Sequence, residues 1–91
     1  MLRTMTIVVA LMSLATMARA DVAAGDACAA KLNGDGKEVY AAVVAANPTL
    51  QNLRETVESQ ARGLAMGGKI AMGSARDNAT AAGECVRTRL Q

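Results

Sequence analysis

Cysteine is the residue type in this sequence that points most clearly to a defined chemistry. The chain has two cysteines, Cys28 and Cys85, which stand far apart in its 91 residues. Redox catalysis by thiols normally uses a C-x-x-C pair, and this spacing does not provide one. We therefore predict a structural disulfide between Cys28 and Cys85; two free thiols, or pairing between two chains, are the alternatives.

The stretch KLNGDGKE, residues 31–38, partly matches a calcium-binding loop through its N-x-D-G pattern. Aligning Gly36 with the invariant glycine of such a loop places Lys31 at the first ligand position and Ala42 at the last. Both positions require a carboxylate, and the first carries a positive charge instead. The pattern therefore favours a turn between two helices over a calcium site.

Methionine is a further residue type here that can bind a metal, because thioethers are ligands for Cu(I). Met66 and Met72 occur in the glycine-rich run LAMGGKIAMGSARDNA, but the chain has no histidine to complete such a site. A disulfide would also remove both thiolates from any set of ligands. We expect the methionines to be packing residues, and we expect no metal site and no cofactor.

The sequence offers few groups for catalysis. It has no histidine to act as a general base, and neither Ser59 nor Ser74 has a base beside it in the sequence. Glu55 and Glu58 fall on the charged side of a predicted helix, which is typical of a solvated surface. We predict that the protein is not an enzyme.

Residues 1–20, MLRTMTIVVALMSLATMARA, have the three parts of a secretory signal peptide. Arg3 supplies a positive start, residues 5–15 are uncharged and largely apolar, and Ala18 and Ala20 are small residues suited to cleavage. The apolar part is shorter than the ~20 residues that a transmembrane helix needs. We expect cleavage after Ala20 and a periplasmic or secreted protein without stable membrane association; an uncleaved anchor is the alternative.

Removal of that segment leaves residues 21–91 as a single small domain without net charge. The 8 acidic residues all lie in this part, whereas two of the 10 basic residues leave with the signal. The domain has one aromatic residue, Tyr40, and lacks the basic surface and stacking groups that nucleic-acid binding uses. We therefore expect no nucleic-acid partner. Because a small alanine-rich domain has a thin core, the disulfide is expected to supply much of its stability.

Four helices are predicted in this domain, and no strand is, because polar and apolar residues do not alternate. The predicted helices cover about residues 22–32, 37–46, 48–66 and 75–90. The apolar stripe of the third helix consists of Leu50, Leu53, Val57, Ala61 and Leu64. We expect an all-α fold, a small bundle of about four short helices joined by the disulfide. The alternative is one long helical hairpin with a pinned N-terminal arm, completed by dimerisation.

Seven residues are predicted to end or cap these helices. They are Asn47, Pro48, Thr49, Gly67, Gly68, Gly73 and Ser74. Proline disfavours helix at the preceding residue and suits a first turn, so the third helix is expected to begin at Pro48. Glycine tolerates the backbone that commonly follows a helix, and Ser74 with Asp77 resembles a capping box. The glycine-rich run is therefore interpreted as a joint between the third and fourth helices.

Four side chains are candidates for contact with a partner. They are Tyr40, Met66, Ile70 and Met72. A lone tyrosine in an alanine-rich domain either fills the core or anchors a partner, since tyrosine is enriched in interfaces. Ile70 and the two methionines can reach back to the core or form a contact at the joint, and the sequence leaves both interpretations open.

Two stretches, GDACAAKLNGDGKEVYAAV and GGKIAMGSARDNATAAGECVRTRLQ, resemble a set of short exported proteobacterial proteins of uncharacterised activity. The resemblance implies a location in the cell envelope and brings no activity, ligand or catalytic residue. In size, helix content and a single disulfide, the chain is also similar as a class to periplasmic acid-stress chaperones, although it shares none of their sequence.

Three functional hypotheses follow from these features. The first is an exported accessory factor that binds another envelope protein, either as a monomer or as a homodimer. The second is a chaperone that opens in acid, where the carboxylates become neutral and the remaining positive charges repel one another. The third, contact of an amphipathic helix with a membrane, fits poorly because the third helix carries acidic residues and the chain lacks tryptophan and phenylalanine. We expect the first.

Overall fold

The computed structural model describes residues 21–91, and these residues form the predicted small all-α bundle. Residues 21–30 belong to helix α1, followed by α2 (Gly34–Ala45), α3 (Leu53–Met66), a short 3-10 helix (Met72–Ser74) and α4 (Ala75–Leu90). Helix α2 packs against both α3 and α4, so the fold is a bundle and not a hairpin with an arm. Within residues 21–91 there is no strand. The predicted signal peptide, residues 1–20, lies outside the described residues.

Helix α2 begins at Gly34, three residues earlier than predicted, because Asn33 is its N-cap. The Asn33 Oδ1 atom accepts a hydrogen bond of 2.7 Å from the Gly36 backbone N–H. Asp35 in the first turn adds a favourable interaction with the positive end of the helix. The residues predicted as a turn therefore form a cap and the start of a helix.

Helix α3 begins at Leu53, so the prediction that it starts at Pro48 is wrong. Asn47 has a left-handed backbone with φ 54°, which ends the preceding helical segment. In the turn that follows, the Thr49 N–H donates to Asn52 Oδ1 over 2.8 Å, and the Asn52 N–H donates to Thr49 Oγ1 over 3.4 Å. These reciprocal bonds stabilise a non-helical turn. As a consequence Leu50, predicted to lie on the apolar stripe, is 53% exposed.

The glycine-rich run connects α3 to α4. Gly67 is the C-cap of α3, and Gly68 has φ 75°, a left-handed conformation that favours glycine. Ile70 then turns back into the core, and the Ala71 N–H donates to Asp35 Oδ2 over 3.0 Å. This hydrogen bond attaches the connection to the start of α2.

Ser74 lies at the position before α4 but does not form the predicted capping box. Its side chain makes no capping hydrogen bond, and its Oγ instead accepts from Asn78 Nδ2 over 3.4 Å. The physical reason is the 3-10 helix that contains Gly73 and Ser74, because it continues directly into α4 and already supplies helical backbone there.

The core is formed mainly by valine and alanine side chains where the helices meet. The largest of its almost fully buried side chains are Val39, Val43, Val86 and Cys85. The predicted disulfide between Cys28 and Cys85 is confirmed and links α1 to α4, with the two Cα atoms 5.3 Å apart. Because alanine buries little area, the core is thin, and the disulfide crosses its edge.

Candidate functional site

Tyr40 lies on α2, on the side that faces α1 and α4. Its burial and hydrogen bonds show whether the side chain belongs to the core or to the surface. The residue is 9% exposed. Its hydroxyl donates a hydrogen bond of 2.8 Å to Asp26 Oδ1, and Arg89 Nη1 donates to the same oxygen over 3.0 Å. The ring therefore fills the core, while the hydroxyl joins α1, α2 and α4 at the core's edge.

Replacement of Tyr40 by phenylalanine is expected to change how stability depends on pH. Burial raises the pKa of the Tyr40 hydroxyl, the hydrogen bond to Asp26 raises it further, and Arg89 acts in the opposite direction. A raised pKa means that the folded state holds this proton more tightly than the unfolded state. The corresponding stability is therefore present below about pH 10 and is lost as the pH rises through the folded-state pKa.

The measurement is denaturant unfolding of wild type and Tyr40→Phe across the alkaline range. At neutral pH the variant should lose about 1 kcal/mol, the usual contribution of one hydrogen bond. Above about pH 10 the difference should narrow, because the wild type alone loses the tyrosine's contribution. Tyr40 is the one aromatic residue of the chain, so tyrosinate absorbance reports its ionisation directly. A gap between the two proteins that stays constant through this titration would contradict the prediction.

Helices α3 and α4 leave an open groove between them, with a volume of about 800 Å³. Its floor consists of small or apolar residues that recur every four positions on each helix. They are Leu53, Val57, Ala61, Ala75, Ala79 and Gly83. Because Leu53, Val57 and Ala61 are only 5–7% exposed, the floor provides shape more than apolar surface.

Gly83 establishes how the two helices are aligned. A Cβ atom placed on Gly83 would lie 3.5 Å from a methyl group of Val57, so these two residues face each other. Consecutive helices joined by a short connection run antiparallel. Four residues further along α3, Ala61 therefore lies opposite Ala79, which is four residues earlier in α4.

Polar residues line both sides of the groove, and we call them the rim. They are Arg54, Glu58, Arg62, Arg76, Thr80, Glu84 and Arg87. All of them are exposed, and the four arginines outnumber the two glutamates. Arg54 and Glu58 form an ion pair of 3.6 Å along α3, but within residues 21–91 no ion pair crosses the groove. Arg54 and Glu58 therefore contact each other, whereas the other four charged rim residues are available to an incoming molecule.

The rim charges follow a regular order along the groove. With Val57 opposite Gly83, the antiparallel alignment brings Arg54 level with Arg87 at one end. Glu84 then falls between Arg54 and Glu58, and Arg76 lies slightly beyond Arg62. Read in the same direction, the charges on each helix therefore follow the order positive, negative, positive, although their spacing on α4 is less regular than on α3.

The four side chains proposed from the sequence as partner contacts do not line this groove. Ile70 is 4% exposed and belongs to the core, as does Tyr40, so neither presents a surface to a partner. Met66 and Met72 are 74% and 72% exposed on either side of the connection between α3 and α4, so the prediction that they are packing residues is wrong. The structure therefore brings the methionines near one connection but does not place them with the rim.

From the sequence, the side of α3 that carries Glu58 was interpreted only as a solvated helix face. The signal missed in that interpretation is that α4 carries charged residues at comparable spacing, in Arg76 and Glu84. Neither stripe predicts a groove alone, because a groove requires the two stripes to lie side by side.

In the part of the chain that the structure describes, cysteine, aspartate and glutamate side chains do not gather in groups of three or more suited to a metal ion. Among residues 21–91, no helix combines the length and apolar character needed to cross a membrane. Comparisons of the chain with protein families, with curated proteins and with solved structures found no match. The groove is thus interpreted from its own geometry.

Proposed function

We propose that this protein is an accessory factor of the cell envelope that binds another protein through the α3–α4 groove. The observation that carries the proposal is a groove between two helices whose charged rim residues are all exposed. A helical segment of a partner can lie along a groove between helices. In this groove, where the floor exposes little apolar surface, its charged side chains would pair with the rim.

The disulfide supports the location in the envelope. A bond between Cys28 and Cys85 persists in oxidising compartments and is rare in the cytosol. It also holds α4 against α1, on a side of α4 that does not form the groove. The bundle can therefore present α3 and α4 as a stable surface outside the cytoplasm.

The test is site-specific photo-crosslinking in cells that naturally make the protein. A photoreactive amino acid is placed at Thr80 inside the groove, and at Ala41 on the exposed side of α2 as a control position. A discrete adduct is expected from Thr80 and not from Ala41. Absence of an adduct at Thr80, or the same adduct from both positions, would reject the proposed function.

Charge reversal on the rim supplies the matched variant. Arg62→Glu with Arg76→Glu should lower the yield of the Thr80 adduct about tenfold. Two positive positions of the rim become negative, so they repel any partner group that the arginines attract. Lys37→Glu with Lys69→Glu makes the same change of charge at exposed positions outside the groove and should leave the adduct unchanged. All four are surface positions, so folding should be little affected.

A further inference from the structure

We propose that the occupant of the groove is a helix whose groove-facing residues are acidic, basic and acidic at positions i, i+4 and i+8. The inference rests on the function proposed above and adds the chemistry of the partner. It follows from the order of charges on the rim, which is positive, negative, positive.

The spacing of the charges specifies a helix. On α3, the rim residues Arg54, Glu58 and Arg62 are four positions apart, which corresponds to ~6 Å along the axis. A second helix lying along the groove presents residues with the same rise at every fourth position. Its acidic, basic and acidic side chains would therefore meet the three rim residues of α3 in turn, while α4 presents the same order of charges with less regular spacing. Because the order is the same from either end, charge alone does not select the direction of the partner.

A second copy of the chain fits this groove poorly. If two copies dock groove to groove in full register, arginines meet arginines at both ends and the glutamates Glu58 and Glu84 meet their equivalents in the middle. Like charges placed opposite one another are repulsive. A shift by one position relieves the repulsion but covers only part of the groove. Charge complementarity therefore favours a different protein.

A uniformly anionic partner also fits poorly, because the two glutamates stand in the middle of the rim. An anionic lipid surface or a fully acidic peptide would be attracted by the four arginines and repelled by the two glutamates at the centre. The floor adds little exposed apolar surface, with Leu53 at 5% exposure and Val57 at 7%. Order of charge, and not total charge, is thus the property by which the groove can select a partner.

The test compares helical peptides that differ only in charge order. Two alanine-based peptides carry Glu-Lys-Glu or Glu-Glu-Lys at positions i, i+4 and i+8, so their composition and net charge are identical. Binding to the exported, processed protein is measured by fluorescence anisotropy at low and high salt. The Glu-Lys-Glu peptide should bind about tenfold more tightly, and the difference should shrink at high salt.

A change on the protein should reverse the preference. Glu58→Lys with Glu84→Lys makes the rim positive throughout, so this variant should prefer a Glu-Glu-Glu peptide over Glu-Lys-Glu. Glu38→Lys with Glu55→Lys makes the same change of charge at exposed positions outside the groove. That control should retain the wild-type preference. All four substitutions are at surface positions and should leave the fold intact.

The other occupants are separate outcomes of this experiment. Equal binding of the two isomeric peptides would overturn the inference that the groove recognises the order of charges. No binding of either peptide, while the Thr80 adduct still forms in cells, would do the same. Both results would leave the proposed function standing. Concentration-dependent dimerisation that Arg62→Glu with Arg76→Glu abolishes would instead assign the groove to a second copy. Tighter binding to vesicles of phosphatidylglycerol than to any of the peptides would assign it to lipid, and each of these results overturns the inference.

Discussion

Replacement of both Cys28 and Cys85 by alanine is expected to lower the free energy of unfolding by roughly 4 kcal/mol. The bond joins residues 57 positions apart, so its removal returns the freedom of a long loop to the unfolded chain. Cys85 is 1% exposed, and its truncation also leaves a small cavity. A domain of this size has a total stability of only a few to about ten kcal/mol, so the loss is a large fraction of it.

Denaturant unfolding measures this effect and identifies its origin. If the disulfide acts on the unfolded chain, the slope of free energy against denaturant should rise in the variant, because an unlinked chain exposes more surface when it unfolds. Reduced wild type, which keeps both sulfur atoms, provides the control that separates the link from the packing. A loss below about 1 kcal/mol with an unchanged slope would show that the bond contributes little.

Substitution of Gly25 by alanine is expected to lower the free energy of unfolding by about 3 kcal/mol, the upper end of the range for overpacking. A Cβ atom on Gly25 would lie 2.5 Å from the Cβ and 2.9 Å from the Cα of Arg89. Since the Cα belongs to the backbone of α4, a change of side-chain rotamer cannot relieve the contact. Cys28 lies one turn further along α1 and is bonded to α4, so α1 cannot easily move away.

Gly63→Ala is the matched control for this substitution. Gly63 lies within α3, and a Cβ atom there meets nothing within 4 Å. Alanine at Gly63 should raise stability by about 0.5–1 kcal/mol through helix propensity alone. Combining Gly25→Ala with the loss of the disulfide should reduce the penalty at Gly25, because α1 is then free to shift. Equal effects at the two glycines would contradict the close approach of α1 to α4.

One helical turn of α1 therefore determines how α1 attaches to the bundle. In this turn, Gly25 packs against Arg89, and Asp26 accepts a hydrogen bond from Tyr40. Cys28 forms the disulfide with Cys85 of α4. Among residues 21–91, in contrast, those that line the groove belong to α3 and α4. Substitutions in this turn should change stability, whereas substitutions on the rim should change binding, and the two groups of experiments can be interpreted separately.

The helices were largely predictable because helix formation depends on residues that are near one another in the sequence. The apolar spacing of Val57 and Ala61 predicts a helix, and both residues lie in α3. The pairing of Cys28 with Cys85 was predicted from their number and spacing in a chain expected to be exported, and the structure shows this disulfide. The start of α3 was mispredicted at Pro48, because side-chain bonds between Thr49 and Asn52 hold a turn that competes with helix.

The sequence by itself therefore determined an all-α fold and the disulfide, since helix propensity, apolar periodicity and cysteine count are properties of the chain alone. Only the tertiary structure decided that Tyr40 belongs to the core and that Gly25 lies against Arg89. It also decided that the charges of α3 and α4 follow the same order along one groove, with Glu58 and Glu84 both lying between arginines. The physical reason is that the alignment of two helices depends on how side chains such as Val57 and Gly83 pack, and residues distant in sequence meet only after that packing.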